Sequence, residues 1–146
     1  CKKGAERMLI GEYQHTLDPK GRVNFPARLR ESLGSTFIIT KGLDNCLYVY
    51  SMEEWKVLED KIRALPMSKS RNLQRFFFAG AAEAEPDKQG RVLIPAHLRE
   101  YAGLTKDVTV IGASVRAEIW DSERYQSSCE ELTSDSIAES MDELGF

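Results

Sequence analysis

A segment of fourteen residues occurs twice in this chain of 146 residues. Residues 18–31 read DPKGRVNFPARLRE and residues 87–100 read DKQGRVLIPAHLRE, with nine of the fourteen positions identical at an offset of 69. A unit of about 60 residues buries only roughly 60% of the surface of its unfolded chain and is marginally stable alone. The duplication therefore predicts two similar halves that share one hydrophobic core.

The first copy has the residue pattern of a β-hairpin. Tyr13, His15 and Leu17 alternate on one face before the segment, and Val23 and Phe25 alternate inside it. This two-residue period is typical of half-buried strands. In the second copy Val92 and Ile94 follow the same period, which predicts a second hairpin.

The connections within both hairpins have the composition of tight turns. Asp18 and Gly21 occupy the first and fourth positions of one turn, and Asp87 and Gly90 occupy the same positions of the other. Asp at the first position and Gly at the fourth favour a type I turn closed by a glycine bulge. We therefore expect these four residues to shape two projecting tips.

The segments that follow each hairpin predict a short helix and two strands. Proline precedes each helix and glycine ends it, as Pro26 with Gly34 and Pro95 with Gly103, which is the usual polarity of helix ends. Four apolar strands are predicted thereafter, at 37–40, 46–50, 108–111 and 117–120. Cys46 lies in one of them and is interpreted as a small buried hydrophobic residue.

A pair of helices is predicted between the copies. Ser51 and Glu54 form the pattern of a capping box, and an apolar stripe follows and ends before Pro66. The stripe consists of Trp55, Leu58, Ile62 and Leu65, and a second helix over about 68–78 has Leu73, Phe76 and Phe77 on its apolar side. The two helices either pack on their own barrel or seal against a neighbouring subunit.

The C-terminal part predicts a helix and a polar tail. Asp121 or Ser122 can start the helix, which is expected to fade into an acidic stretch that is mobile or helical only on contact. The resulting organisation is a tag remnant or N-terminal extension at 1–7, a first repeat at 12–54, connecting helices at 55–82, a second repeat at 83–126 and an acidic tail at 127–146.

Charge is distributed unevenly along the chain, although the net charge is only −3. Residues 118–146 contain nine acidic residues and one basic residue, which leaves 19 basic against 14 acidic residues in the rest. A basic body permits a nucleic-acid partner. The alternative is that the acidic tail simply keeps the protein in solution.

Catalysis, metal binding and membrane insertion find no support in the sequence. His15 and His97 are the only histidines and lie on unlike predicted elements, and the three cysteines include no CxxC pair. No nucleophile elbow, phosphate-binding glycine loop or HExxH motif occurs. We therefore expect no enzyme activity, no cofactor, no metal, no small-molecule substrate and no membrane partner, and a cytoplasmic protein.

The predicted tips present basic side chains. Lys20 and Arg22 flank the first glycine, and Lys88 and Arg91 flank the second. A two-stranded ribbon fits the major groove of DNA, where Arg can bond O6 and N7 of guanine or neutralise a phosphate. The alternative is that each Arg only pairs with the Asp of its own turn, and the two interpretations are compatible because such an Asp can also hold the Arg in place.

The sequence resembles the MraZ family of bacterial transcriptional regulators over residues 8 to about 130. The resemblance is carried by D-x-x-G-R-[VL]-x-[FIL]-P in two copies, by the intervening helices, and by LTKDVTVIG and EIWD in the second half. It implies an α+β, mainly β fold: an AbrB-like swapped-hairpin double barrel of two tandem repeats with pseudo-two-fold symmetry, an inserted helix pair and a C-terminal helix.

The resemblance also implies a function. Family members form ring-like homo-oligomers and contact DNA through Asp-x-x-x-Arg segments, which correspond here to Asp18–Arg22 and Asp87–Arg91. Their target is a set of short direct repeats upstream of the division and cell-wall gene cluster, and they are associated with the nucleoid. We therefore expect a sequence-specific regulator that binds double-stranded DNA through Arg22 and Arg91, with Lys20 and Lys88 on phosphates.

Two rival interpretations remain open. AbrB-type hairpin domains also occur in toxin neutralisation, so the chain could be an antitoxin-like or scaffold module that binds a partner through its tail. An enzyme on a related double-barrel fold is the second rival, and it requires paired carboxylates or a self-cleaving serine, for which the sequence offers no pattern.

Overall fold

The computed structural model describes residues 8–145, so the extension predicted at 1–7 and the terminal Phe146 lie outside the described residues. Eight strands are present within this range: β1 Glu12–Thr16, β2 Arg22–Asn24, β3 Phe37–Lys41, β4 Leu47–Ser51, β5 Ala82–Ala84, β6 Arg91–Leu93, β7 Asp107–Gly112 and β8 Ala117–Asp121. The helices are α1 Ala27–Leu33, α2 Met52–Arg63, α3 Met67–Phe77, α4 Ala96–Ala102, α5 Ser122–Cys129 and α6 Ser134–Glu143. The α+β, mainly β class and the four long predicted strands are confirmed.

The two repeats are interleaved in one antiparallel sheet of six strands. Its order is β1-β7-β8-β4-β3-β5, while β2 and β6 form a separate two-stranded ribbon. The first strand of each repeat pairs with the third strand of the other repeat, and β4 pairs with β8 at the centre. Exchanging the repeats leaves the order unchanged, which is the expected pseudo-two-fold arrangement of a repeated AbrB-like fold.

The prediction that each turn joins the two strands of a local hairpin is wrong. β1 pairs with β7 instead of β2, and within the first repeat only an isolated bridge between Leu17 and Val23 remains. β2 pairs with β6 of the other repeat. A two-residue period shows which side chains share a face, but it does not identify the neighbouring strand.

The sheet is covered on both faces, since alternate residues of its strands enter two separate clusters. Leu47 and Val49 of β4 point into the main core, whereas Tyr48 and Tyr50 point to the opposite face. The main core closes over the inner face of the β2–β6 ribbon and combines residues of both repeats. The shared core predicted from the duplication is therefore confirmed.

Helices α2 and α3 cover the second face of the sheet, as the first of the two packing alternatives requires. Ile62 and Phe77 are buried there against the aromatic residues of β4 and β8. Ser51 caps α2 by accepting a hydrogen bond from the Glu54 backbone N–H at 3.1 Å, which is one half of the predicted capping box. Leu65 lies beyond the end of α2 and is 39% exposed, so the apolar stripe is shorter than predicted.

The tail, which the sequence predicts to be mobile or helical only on contact, contains a helix. Asp121 caps α5 through its side chain, as predicted, and α6 then begins at Ser134. Thr133 and Ser136 form a reciprocal capping box at the start of α6, which stabilises the first turn. Every side chain of α6 is exposed, so no residue of this helix is buried against the sheet.

No helix within residues 8–145 has both the length and the apolar character needed to span a lipid bilayer.

The shared core makes a testable prediction about α4. Leu98 is fully buried in the main core, whereas Leu93 on the ribbon is 57% exposed. Leu98→Ala should lower the free energy of unfolding by about 2–5 kcal/mol because it leaves a cavity. Urea unfolding followed by tryptophan fluorescence checks this. Leu93→Ala is the control and should change stability by no more than about 0.5 kcal/mol; equal losses in the two variants would contradict the packing described.

Candidate functional site

The β2–β6 ribbon brings the two duplicated segments onto one surface. Arg22 lies opposite Leu93 and Asn24 lies opposite Arg91, while Val23 and Val92 point into the core. Arg22, Asn24, Arg91 and Leu93 thus share the outer side of the ribbon, which we call the ribbon face. Arg22 and Arg91 are diagonal neighbours, with Cα atoms about 7–8 Å apart. The two predicted tips therefore flank a single surface.

Turn 1, residues 18–21, is organised by one carboxylate. Asp18 Oδ1 accepts hydrogen bonds from the backbone N–H groups of Lys20 (2.9 Å) and Arg22 (2.8 Å). Asp18 Oδ2 accepts one from Arg22 Nε at 2.9 Å. The turn closes with a bond from Gly21 N to Asp18 O, and Gly21 has a positive φ of 84°. The predicted glycine turn is confirmed here.

Turn 2, residues 87–90, repeats this geometry. Asp87 Oδ1 accepts hydrogen bonds from the backbone N–H groups of Gln89 and Arg91, and its Oδ2 accepts one from Arg91 Nε, all at 2.9 Å. Gly90 N donates to Asp87 O, and Gly90 has a φ of 81°. The same bonds in both repeats show that the turn, and not only the strand, is duplicated.

These hydrogen bonds lower the pKa of both carboxyl groups below the ordinary value of 3.8. The largest cause for Asp18 is the bond from the Arg22 backbone N–H, and for Asp87 it is the bond from the Arg91 backbone N–H. Partial desolvation opposes the shift, while the guanidinium groups add to it. Both aspartates are therefore negatively charged at neutral pH and can hold the arginines.

Each arginine is fixed through Nε and retains its two terminal nitrogens for a ligand. The side chains of Arg22 and Arg91 are 27% and 32% exposed. Among residues 8–145 neither arginine makes a hydrogen bond or ion pair through a terminal nitrogen. The side chains of Lys20 and Lys88 are also exposed. The predicted Asp–Arg pairing is confirmed, and it positions the arginines without covering them.

Two further arginines, given no role from the sequence, support the turns across the repeats. A Cβ built on Gly21 would lie 2.8 Å from Arg99 Cζ, and one built on Gly90 would lie 3.0 Å from Arg30 Nη2. Each guanidinium thus covers the turn of the other repeat. Arg99 Nε donates to Ile94 O at 2.9 Å and Arg30 Nε donates to Phe25 O at 3.0 Å.

The backbone completes this cross-repeat support. Ile94 N donates to Gly21 O at 2.9 Å, and Phe25 N donates to Gly90 O at 3.0 Å. Arg30 and Arg99 could have been noticed in the sequence because they recur at the same offset as the turn residues. Their partners could not be read from it, because each partner belongs to the other copy.

The remaining candidate groups lie apart from each other. His15 is half-buried on β1, where burial lowers its pKa, and His97 on α4 has Nε2 2.9 Å from Gly80 O. Cys46 is buried, and desolvation raises its pKa to about 12, as expected for a hydrophobic role. Within the described part of the chain no three His, Cys, Asp or Glu residues are grouped so as to hold a metal ion.

The interleaved sheet, the ribbon and the two Asp–Gly–Arg turns define a tandem-repeat protein of AbrB-like fold. The family model described as "MraZ protein, putative antitoxin-like" matches the chain twice, at residues 8–76 and 77–144. The chain belongs to the MraZ family.

Proteins named "Transcriptional regulator MraZ" are similar to this chain over most of its length. The one from Acetivibrio thermocellus is 58% identical over 143 residues, which cover 95% of this chain and 100% of the relative. The one from Heliobacterium modesticaldum is 63% identical over 120 residues, covering 81% and 84%. The one from Clostridium beijerinckii is 55% identical over 142 residues, covering 95% and 100%. By these names the family is one of transcriptional regulators and not of enzymes.

Removing one cross-repeat arginine should loosen the turn of the opposite repeat. Arg99→Ala is expected to speed amide hydrogen exchange at Lys20 and Gly21, and Arg30→Ala at Gln89 and Gly90, because each turn loses its covering guanidinium. Exchange measured by NMR for each amide checks this. Arg28→Ala, which changes an exposed side chain of α1, is the control and should leave both turns unchanged. Faster exchange in the variant's own turn alone would contradict the cross-repeat arrangement.

The lowered pKa values predict how the turns respond to acid. Because both folded-state values lie below 3.8, the carboxylates stabilise the turns above pH 3.8, and this contribution is lost as the pH falls through the lowered values. Amide shifts of Gly21 and Gly90 followed against pH should show midpoints below 3.8. In Asp18→Asn the midpoint at Gly21 should vanish while that at Gly90 remains. A midpoint at or above 3.8 would refute the assigned hydrogen bonds.

Proposed function

We propose that the chain is a sequence-specific DNA-binding transcriptional regulator whose ribbon face enters the major groove. Arg22 and Arg91 are the principal contacts, and Lys20 and Lys88 are partners of the flanking phosphates. Asp18 and Gly21 shape turn 1, and the equivalent aspartate and glycine shape turn 2. The DNA-binding role is supported by the regulator name of the relatives and by the surface chemistry described above.

The observation that carries this proposal is the pair of held arginines on one exposed face. Each Nε is bound to an aspartate at 2.9 Å, so the terminal nitrogens are oriented before DNA arrives. Arg presents two donors in a fork that matches O6 and N7 of guanine. Because a preoriented side chain loses less entropy on binding, such a pair gains affinity.

The dimensions of the ribbon suit the groove. Adjacent strands lie about 4.7–4.9 Å apart, and the major groove is about 12 Å wide and admits a two-stranded ribbon. Turns 1 and 2 lie at opposite ends of the ribbon, since Gly21 bonds with Ile94 and Gly90 bonds with Phe25. Lys20 and Lys88 can then reach phosphates on the two sides of the groove.

Useful affinity requires several ribbons on one duplex. A bidentate Arg contact contributes only about 1–3 kcal/mol of discrimination, so we propose a ring-like homo-oligomer that binds short direct repeats through effective concentration. The repeats proposed are those upstream of the division and cell-wall gene cluster, with the protein on the nucleoid. Exposed apolar residues Met8, Ile10 and Val115 offer contact surface for such an assembly.

Replacing Arg22 and Arg91 together by Ala should abolish specific DNA binding and leave the melting temperature nearly unchanged. Both side chains are partly exposed, so little packing is lost. Fluorescence anisotropy with the target duplex and with random duplex, at several salt concentrations, measures the effect. If the arginines contact bases, the variant should lose its preference for the target duplex over random duplex. If they contact phosphates only, its affinities for both duplexes should fall equally and the dependence of affinity on salt concentration should become weaker.

The matched control removes two positive charges elsewhere. Lys69 and Arg71 are exposed on α3, which covers the opposite face of the sheet from the core beneath the ribbon. Lys69→Ala with Arg71→Ala should retain specific binding. Unaltered binding by the folded Arg22/Arg91 variant would refute the proposal. The target itself is found by selecting bound genomic fragments while the mass of the complex is measured.

The antitoxin-like alternative is favoured by one observation, the free apolar side of α6. Ile137 and Met141 are 44% and 37% exposed, and Leu144 beyond the helix is 71% exposed, so a partner protein could bind there. Ile137→Ser with Met141→Ser separates the alternatives. A regulator that acts through the ribbon retains its binding to promoter DNA in this variant. A module that acts through α6 loses its binding to the partner protein.

A further inference from the structure

The ribbon face is symmetric in its arginines and asymmetric in its other two residues. Asn24 and Leu93 occupy equivalent positions of the two repeats, at the offset of 69 that relates Arg22 to Arg91. Asn24 lies opposite Arg91, and Leu93 lies opposite Arg22. One end of the ribbon therefore presents an arginine beside an amide, and the other end presents an arginine beside an aliphatic side chain.

Neither residue is engaged by the fold. Asn24 is exposed, and its side-chain amide makes no hydrogen bond to any residue between 8 and 145. Leu93 is 57% exposed, whereas its neighbours Val92 and Ile94 are fully buried and fill the core. Both side chains are thus available at the centre of the proposed DNA-binding surface.

The two side chains differ in the base edges that they recognise. An Asn amide can donate to N7 and accept from N6 of adenine, whereas an aliphatic side chain packs against the C5-methyl group of thymine. Diagonal neighbours on the ribbon lie about 7–8 Å apart, which is close to two base steps of about 3.4 Å. Asn24 and Leu93 can therefore contact different base pairs of one short site.

We propose that Asn24 and Leu93 give the recognised DNA element its polarity, Asn24 by reading an adenine beside the contact of Arg91 and Leu93 by reading a thymine methyl beside the contact of Arg22. This inference rests on the proposed function. With identical residues at both positions, the ribbon face itself would fit a site equally well in its two orientations. An asymmetric element repeated in one orientation is distinguished from its reverse when the two ends of the ribbon differ, and Asn24 and Leu93 supply such a difference on the ribbon face.

Variants that make the ribbon symmetric test the inference. Four full-length proteins are each used to select duplexes from a random library. They are wild type, Leu93→Asn, Asn24→Leu and the double variant Asn24→Leu with Leu93→Asn, which exchanges the two residues. Wild type should select an asymmetric element. Each single variant should select an element closer to two-fold symmetry, and the exchange should restore the wild-type element because it only rotates the ribbon.

Single-atom changes in the DNA test the contacts themselves. Replacing one thymine by uracil removes the methyl group and should weaken wild-type binding roughly fourfold, with no effect in Leu93→Ala. Replacing one adenine by 7-deazaadenine removes N7 but leaves the bond from N6. It should weaken wild-type binding roughly fivefold, the low end of the range for a whole bidentate contact, with no effect in Asn24→Ala. Both side chains are exposed, so the variants should keep the wild-type melting temperature.

The outcomes separate this inference from the function on which it rests. If Arg22→Ala with Arg91→Ala retains specific binding, the proposed function fails. If that variant loses binding but Leu93→Asn and Asn24→Leu select the wild-type element, only the inference is overturned. In that case the polarity arises from other differences between the repeats, such as Pro19 and Lys20 against Lys88 and Gln89 in the turns.

Discussion

The exchange of strand partners between the repeats is the constraint on which this structure depends. β1 finds its backbone partners in β7, β5 finds them in β3, and the short strands β2 and β6 pair only with each other in a ladder. An unpaired strand edge leaves backbone groups without hydrogen bonds and apolar side chains without cover. One repeat alone would have both defects at once. The duplication supplies the partner within the same chain, without a second molecule.

The same exchange produces the candidate site. Because β2 and β6 pair across the pseudo-two-fold relation, the two arginines become neighbours instead of lying on separate projections. Arg30 and Arg99 then reach the opposite turns. Three sets of contacts thus hold the ribbon face in place: the hydrogen bonds between β2 and β6, the bonds from each arginine Nε to its aspartate, and the guanidinium groups that cover the glycines. Each set uses residues of the duplicated segment.

Much of this could be predicted from the sequence, because local rules govern it. The turns follow from Asp and Gly at fixed positions, the short helices from Pro and Gly at their ends, and the long strands from their apolar runs. The ribbon could not be predicted, because the two-residue period places Val23 inward whichever strand pairs with β2. For the tail the sequence predicts only a stretch that is mobile or helical on contact, because the capping residues of α6, Thr133 and Ser136, are common in polar stretches that stay unfolded.

Each glycine and the arginine that covers it belong to different copies, so the two repeats depend on each other at the turns. Arg99 covers Gly21, and Arg30 covers Gly90. A substitution of the arginine in one copy therefore changes the contacts of the turn in the other copy. A change in a turn of the first half can therefore be compensated by a residue of the second half, about half a chain length away. A fragment that contains only one half would keep its arginine but would lack the turn that this arginine covers.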